Sequence, residues 1–281
     1  MKKQLNLLVL LAALCLIGCQ PGSRKEASNA WGLAFDSLQI NRTEHLFGDT
    51  AKPACNLILN ISYASEAKEE KFRDSLNHYF MAFSLESPYA NLSPKEAVAT
   101  YAENYVNKYR NDLEPMYKKD EAEHADGQSM GAWYSYYKKI ESRITRRQGV
   151  LLTYCNRYEE YTGGAHGMYM TTFLHLDLRT LTPVTLDDLF VEESEEELTR
   201  LLWKRLMEDH QAKSKEELYD LGYASTGDLT PIDNFYLDNQ GITFYYNVYE
   251  IAPYALGPVT ITLKRDEVKH LMGDPALWAT E

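Results

Sequence analysis

The chain reads as an α+β protein whose sheet is largely antiparallel, with helices packed on it. Three features of its 281 residues carry that expectation. Alternating apolar and polar runs fill the middle of the chain, two helix-period segments precede them, and a helix followed by a hairpin comes after. No unit repeats at solenoid length, and about 250 residues suffice for one large domain or two small ones.

The first residues follow different rules. Lys2 and Lys3 precede an uncharged, mostly apolar run from Leu5 to Ile17, which is too short to stay as a membrane-spanning helix and is laid out like a signal peptide. It ends in Leu16-Ile17-Gly18-Cys19, which resembles the lipobox of bacterial lipoproteins. That resemblance implies cleavage after Gly18 and a diacylglycerol on Cys19, so the chain would be held to a lipid bilayer through its first mature residue. Residues 1–18 are then the leader, and residues 19–30, rich in Gly, Pro and Ser, form a flexible tether. The expected location is the cell envelope. Facing the periplasm is the default, and the outer surface is the alternative.

The folded part divides into an N-terminal portion, 31–155, and a C-terminal portion, 156–281. Residues 31–40 and 55–63 read as strands, the second alternating after Leu57. Between residues 67 and 85, Phe72, Leu76, Phe80 and Phe83 make one apolar helix face. Ser93-Pro94-Lys95-Glu96 is a capping box with proline at the first helical position, and it opens a helix to about Tyr117. Three long strands are expected at 133–146, 150–161 and 168–178, with Trp133 and Tyr137 on one face of the first. Another capping box at Ser194 opens a helix to about His210, and Ser214 opens a shorter one. Phe235–Leu237 and Ile242–Val248 form a hairpin turning at Asp238–Gly241, and Val259–Leu263 is the last strand.

Bulk charge narrows the partners. The formal net charge is −12, and losing Lys2 and Lys3 with the leader makes it −14. Such an acidic chain is a poor ligand for nucleic acid, whose phosphates demand clustered Lys and Arg. It suits a basic protein, or it serves solubility alone. Once Cys15 leaves and Cys19 is acylated, Cys55 and Cys155 remain. In an oxidising compartment they are a candidate disulfide, or else two buried thiols.

Chemistry is sparse. His166 lies in Gly163-Gly164-Ala165-His166-Gly167, where Gly163, Gly164 and Gly167 favour a tight turn and expose the ring. As a general base it would need a partner, for which Glu250 is the candidate. Otherwise it holds the turn by a local hydrogen bond. Tyr249, Glu250 and Tyr254 lie in a segment that is either a recognition loop or a loop closing over the sheet. His124, His166, His175, His210 and His270 are scattered, and neither HExxH, CxxC, GxSxG nor a phosphate-binding glycine loop occurs, so no metal or cofactor is expected. Asp187 and Asp188 suit the start of a short helical turn better than a metal site. The balance tilts away from an enzyme.

Three motifs resemble a known family: Tyr161-Thr162-Gly163-Gly164-Ala165-His166-Gly167; Leu176-Asp177-Leu178 with Leu186-Asp187-Asp188-Leu189-Phe190; and Phe244–Asn247 with Tyr249–Ala255 and Gly257-Pro258. Together they resemble exported domains of unknown function found in bacterial lipoproteins. Similar domains form the outer, lysozyme-binding segment of the lysozyme-sensing anti-sigma factor and accompany a peptidoglycan deacetylase as an accessory part. The resemblance covers about residues 50–272. It implies an envelope lipoprotein that binds a protein or a cell-wall glycan, with a basic lysozyme-like protein as one partner. The alternatives are a wall-directed hydrolase using His166 and Glu250, or a passive structural lipoprotein.

Overall fold

The computed structural model describes residues 30–123 and 131–279, so the leader 1–18, Cys19 and the tether up to residue 29 lie outside the described residues. Among the described residues no helix is long and apolar enough to cross a membrane.

β1 (Ala34–His45) and β2 (Ala54–Glu66) form an antiparallel pair. On β2, Cys55, Leu57, Leu59 and Ile61 are buried while their neighbours are not, because successive side chains point to opposite faces. α1 (Glu70–Leu85) and α2 (Pro94–Glu123) then carry the chain across that face to β3 (Tyr136–Gln148), which pairs parallel to β2. Parallel neighbours require such a crossover. β4 (Leu151–Tyr161) and β5 (Met168–Asp177) follow antiparallel, and a two-residue β6 (Thr182–Pro183) completes a six-stranded sheet in the order β1-β2-β3-β4-β5-β6. The α+β class and the largely antiparallel sheet are as expected.

One face of that sheet packs on α1 and α2 through Leu57, Leu59, Ile61, Leu76, Phe80, Met81, Ile140, Leu152 and Tyr154. Tyr154 stacks on Phe80 at 4.2 Å, and its hydroxyl is bonded to Ser84, Ser142 and the carbonyl of Ser62. A second core belongs to the C-terminal elements. α3 (Glu195–Asp209) lays Leu198, Leu201, Leu202 and Leu206 against the antiparallel sheet of β7 (Phe235–Leu237), β8 (Gly241–Tyr246) and β9 (Val259–Lys264). Each of those leucines contributes about 1.5–3 kcal/mol by leaving water.

Several expectations need correction. α2 continues to Glu123, through Pro115. Trp133 lies in a one-turn helix, Gly131–Tyr134, ahead of β3, so it shares no strand face with Tyr137. The Ser194 side chain makes no capping bond, because its backbone is already helical (φ −75°, ψ −16°), and a hydroxyl reaches the following N–H groups only from an extended residue. The boundary between the two portions, at 155/156, lies within β4, which bonds to both β3 and β5.

Cys55 and Cys155 are free and buried rather than joined. Cys55 pairs with Tyr136 at the start of β3 and sits under α2, whereas Cys155 lies opposite Arg143 on the other face of the sheet. With β3 between their strands and seven residues of offset along it, the α-carbons are on the order of 25 Å apart at usual strand spacings. A disulfide needs less than about 7 Å. Burial raises both thiols above the ordinary range, Cys55 to about 11.

Candidate functional site

The small sheet is joined to β5 by side chains that imitate backbone. The Asn234 amide accepts from the N–H of Phe173 at 3.1 Å and donates to the carbonyl of Thr171 at 2.9 Å. The Asn247 side chain accepts from the N–H of Thr171 at 2.7 Å and donates to its carbonyl at 3.2 Å. These two residues satisfy an open sheet edge that would otherwise expose unpaired backbone groups.

This joint brings two loops together. The β4–β5 turn bends at Gly163 and Gly164, with φ of +88° and +100°, values that favour residues without a Cβ. Gly167 serves close approach instead, since a Cβ there would lie 2.9 Å from the carbonyl of Glu160. The second loop, 247–257, is held from beneath. The Glu250 carboxylate accepts the N–H of Asn247 at 2.7 Å, and a Cβ at Gly227 would lie 2.2 Å from the carbonyl of Glu250. Tyr249 is carried at φ +72°, a strained backbone conformation for a side-chain-bearing residue.

At the meeting point His166 is exposed and its ring stacks on Tyr254 at 4.1 Å. Its Nδ1 lies 3.0 Å from the carbonyl of Gly167 and therefore carries the proton, leaving Nε2 to accept from the Tyr249 hydroxyl at 3.2 Å. Tyr254 donates to the same Gly167 carbonyl at 2.9 Å. Tyr169 stands edge-on to Tyr254 at 5.6 Å. Along β5, Thr171 and Phe173 follow Tyr169 on one face, and Tyr245 and Tyr236 from the small sheet flank Phe173 at 6.0 and 5.2 Å. The result is a strip of half-exposed rings from the loop tip down the groove between the sheets.

The sequence-derived candidates separate here. His166, Tyr249 and Tyr254 come together. Glu250 does not join them as a proton partner, because its carboxylate caps its own loop, and among the described residues neither His166 nitrogen faces a carboxylate. Among the described residues no three of His, Cys, Asp and Glu converge as metal ligands. Sequence reasoning missed Asn234, Asn247 and the Tyr169–Phe173 strip. Asn247 stood within a quoted motif, but an asparagine after an apolar strand reads first as a turn residue.

Residues 187–266 match a family described as a protein of unknown function (DUF3298), and residues 49–169 match the family described as Deacetylase PdaC. The crystal structure of a DUF3298 family member from Bacteroides fragilis is 52% identical, with 88% of this chain and 96% of that one covered and a TM-score of 0.84. This chain belongs to the DUF3298 family. A DUF3298 family protein from Pseudomonas aeruginosa, 15% identical over 89% of this chain and 98% of its own, shares the fold at a TM-score of 0.61. No curated protein matches the chain. In this DUF3298 protein the ring strip is composite. His166 and Tyr169 come from the PdaC-like stretch, and Tyr245, Tyr249 and Tyr254 come from the DUF3298 stretch.

Proposed function

We propose that this DUF3298 protein is a lipid-anchored envelope protein that binds a cell-wall glycan along the ring strip headed by His166, Tyr249 and Tyr254. The supporting observation is the stack of His166 on Tyr254, held open to solvent by hydrogen bonds to the Gly167 carbonyl and to Tyr249. Rings fixed in this way lose little freedom on binding and offer flat apolar area to the C–H faces of sugars. The anchor is Cys19, and the expected location is the periplasmic face of a membrane. Binding without turnover fits His166, whose hydrogen-bond partners are a carbonyl and a phenol.

Titration of soluble peptidoglycan glycan strands into the full chain tests this reading. Binding should weaken about tenfold in Tyr254→Ala, the scale of one lost ring contact. A second reading follows from the charge of −12, which favours a basic protein. If strands fail to bind at high micromolar concentration while lysozyme does bind, the second reading replaces the first. Labelled palmitate entering the wild type but not Cys19→Ser tests the anchor independently.

A further inference from the structure

The ring strip ends in a cleft of about 440 Å³ between the two sheets, lined by Arg143, Arg157, Phe173, Tyr236, Tyr245 and Asp238, with Cys155 at its floor. Two observations set it apart from other hollows. First, Arg143 and Arg157 project from neighbouring strands on the same face, Arg143 opposite Cys155 and Arg157 opposite Thr171. Both are exposed, and among the described residues neither has an ion-pair partner. In a chain of net charge −12, two adjacent guanidiniums with no ion-pair partner among the described residues are conspicuous, the more so because Asp238 lines the same cleft and Glu141 lies opposite Arg157 in register. The nearby acids are already engaged. Glu141 pairs with Lys139 at 2.8 Å, and Asp238 accepts the N–H groups of Gln240 and Gly241.

Second, the walls are rings and the rim carries hydroxyls. Phe173, Tyr236 and Tyr245 supply flat apolar area, and Thr145 and Thr171 stand beside the guanidiniums. In a larger hollow of about 620 Å³ beside α1 the lining arginine is already paired, Arg73 being bound to Asp74, and Asn77 is bound to the backbone of Ala64.

We propose that this cleft is a carboxylate subsite, in which Arg143 and Arg157 clamp the carboxylate of an acidic sugar while Phe173, Tyr236 and Tyr245 pack on its ring. The guanidinium fork matches a carboxylate in plane and accepts it bidentately, and two forks at one cleft orient it. Burial raises the Cys155 thiol and the two arginines pull it back, so the charge of both reaches the floor. The sugar assignment rests on the glycan reading of the adjoining strip, whereas the clamp stands on the arginines alone.

The test titrates the full chain with three probes: tetragalacturonate, its neutral methyl ester, and 4-hydroxybenzoate as a ring carboxylate that is not a sugar. Tetragalacturonate should bind at least about tenfold more tightly than the ester, and Arg143→Gln or Arg157→Gln should each remove about tenfold. Because both side chains are exposed and unpaired, the variants should melt at the wild-type temperature, and added salt should weaken the acid but not the ester. Equal binding of acid and ester, or no effect of either substitution, overturns the clamp and leaves the glycan reading intact. Arginine-dependent binding of 4-hydroxybenzoate with neither sugar bound keeps the clamp and overturns the sugar. If no probe binds at millimolar concentration, the subsite is overturned.

Discussion

His175 on β5 is wholly buried, stacked on Phe235 at 4.2 Å, with Nε2 2.8 Å from the Phe235 carbonyl and Nδ1 3.0 Å from the Thr153 hydroxyl. Burial is the main reason its pKa falls to about 4, and the charge of Arg146 adds to the fall. A histidine depressed in the folded state is protonated first in the unfolded chain, which ordinarily takes a proton near 6.5. Its contribution to stability is therefore complete above about pH 6.5 and declines as pH falls towards 4. Between pH 7 and pH 5 the protein should lose about 2 kcal/mol from this group alone. Urea melts of the wild type and His175→Gln at both pH values measure it, because the variant cannot titrate. If the two lose stability in parallel, His175 is not the group responsible. At this scale the sequence misdirected attention. His166 attracts notice because glycines surround it, whereas His175 looks like one polar residue among strand positions, and only packing against β7 makes it a buried, neutral ring.

Capping separates what an element's sequence can promise from what its surroundings allow. Ser93 and Glu96 bond to each other's backbone N–H, at 3.4 and 3.2 Å, and start α2 as the motif predicts. Ser194 carries the same S-x-x-E pattern, yet its hydroxyl caps nothing. Ser93→Ala should cost about 1 kcal/mol of stability and Ser194→Ala less than about 0.5 kcal/mol, as read by urea denaturation. Equal losses would mean that Ser194 caps in solution after all. Strand alternation was legible in β2, where one face is covered and the period of two is imposed by burial, but not in β4, where Leu151–Asn156 are buried on both faces. It was less so around Trp133, because aromatic residues suit a half-buried strand and a packed turn equally well. Trp133 itself is 69% exposed, which no alternation rule could have told.

Across the whole molecule, two cores are held together at the edge of β5 by two asparagines. Asn234 and Asn247 hydrogen-bond to Thr171 and Phe173 from the other sheet, and Asn234 also donates to the carbonyl of Tyr245 within its own. The double variant Asn234→Ala/Asn247→Ala should leave those groups without these partners. Hydrogen exchange at the N–H groups of Thr171 and Phe173 should then rise by at least about tenfold, while N–H groups of β2 and β3 stay protected. Uniform loss of protection would show that the asparagines hold up the entire fold rather than this joint. Since His166 and Tyr254 come from opposite sides of the joint, the same variant should also weaken glycan binding.

The sequence by itself determined the fold class, most of the strands and helices, the family motifs and the turn that exposes His166. Each of these follows from local patterns: periodicity, caps and glycine placement act over a few residues. Tertiary structure decided which residues meet. It put Cys55 and Cys155 on opposite faces, turned Glu250 back on its own loop, and set Arg143 and Arg157 beside Phe173 and Tyr245. Those outcomes depend on the register between strands and on the docking of one sheet against another. Contacts between residues distant in the chain leave no periodic trace in either segment, so they had to be seen in three dimensions.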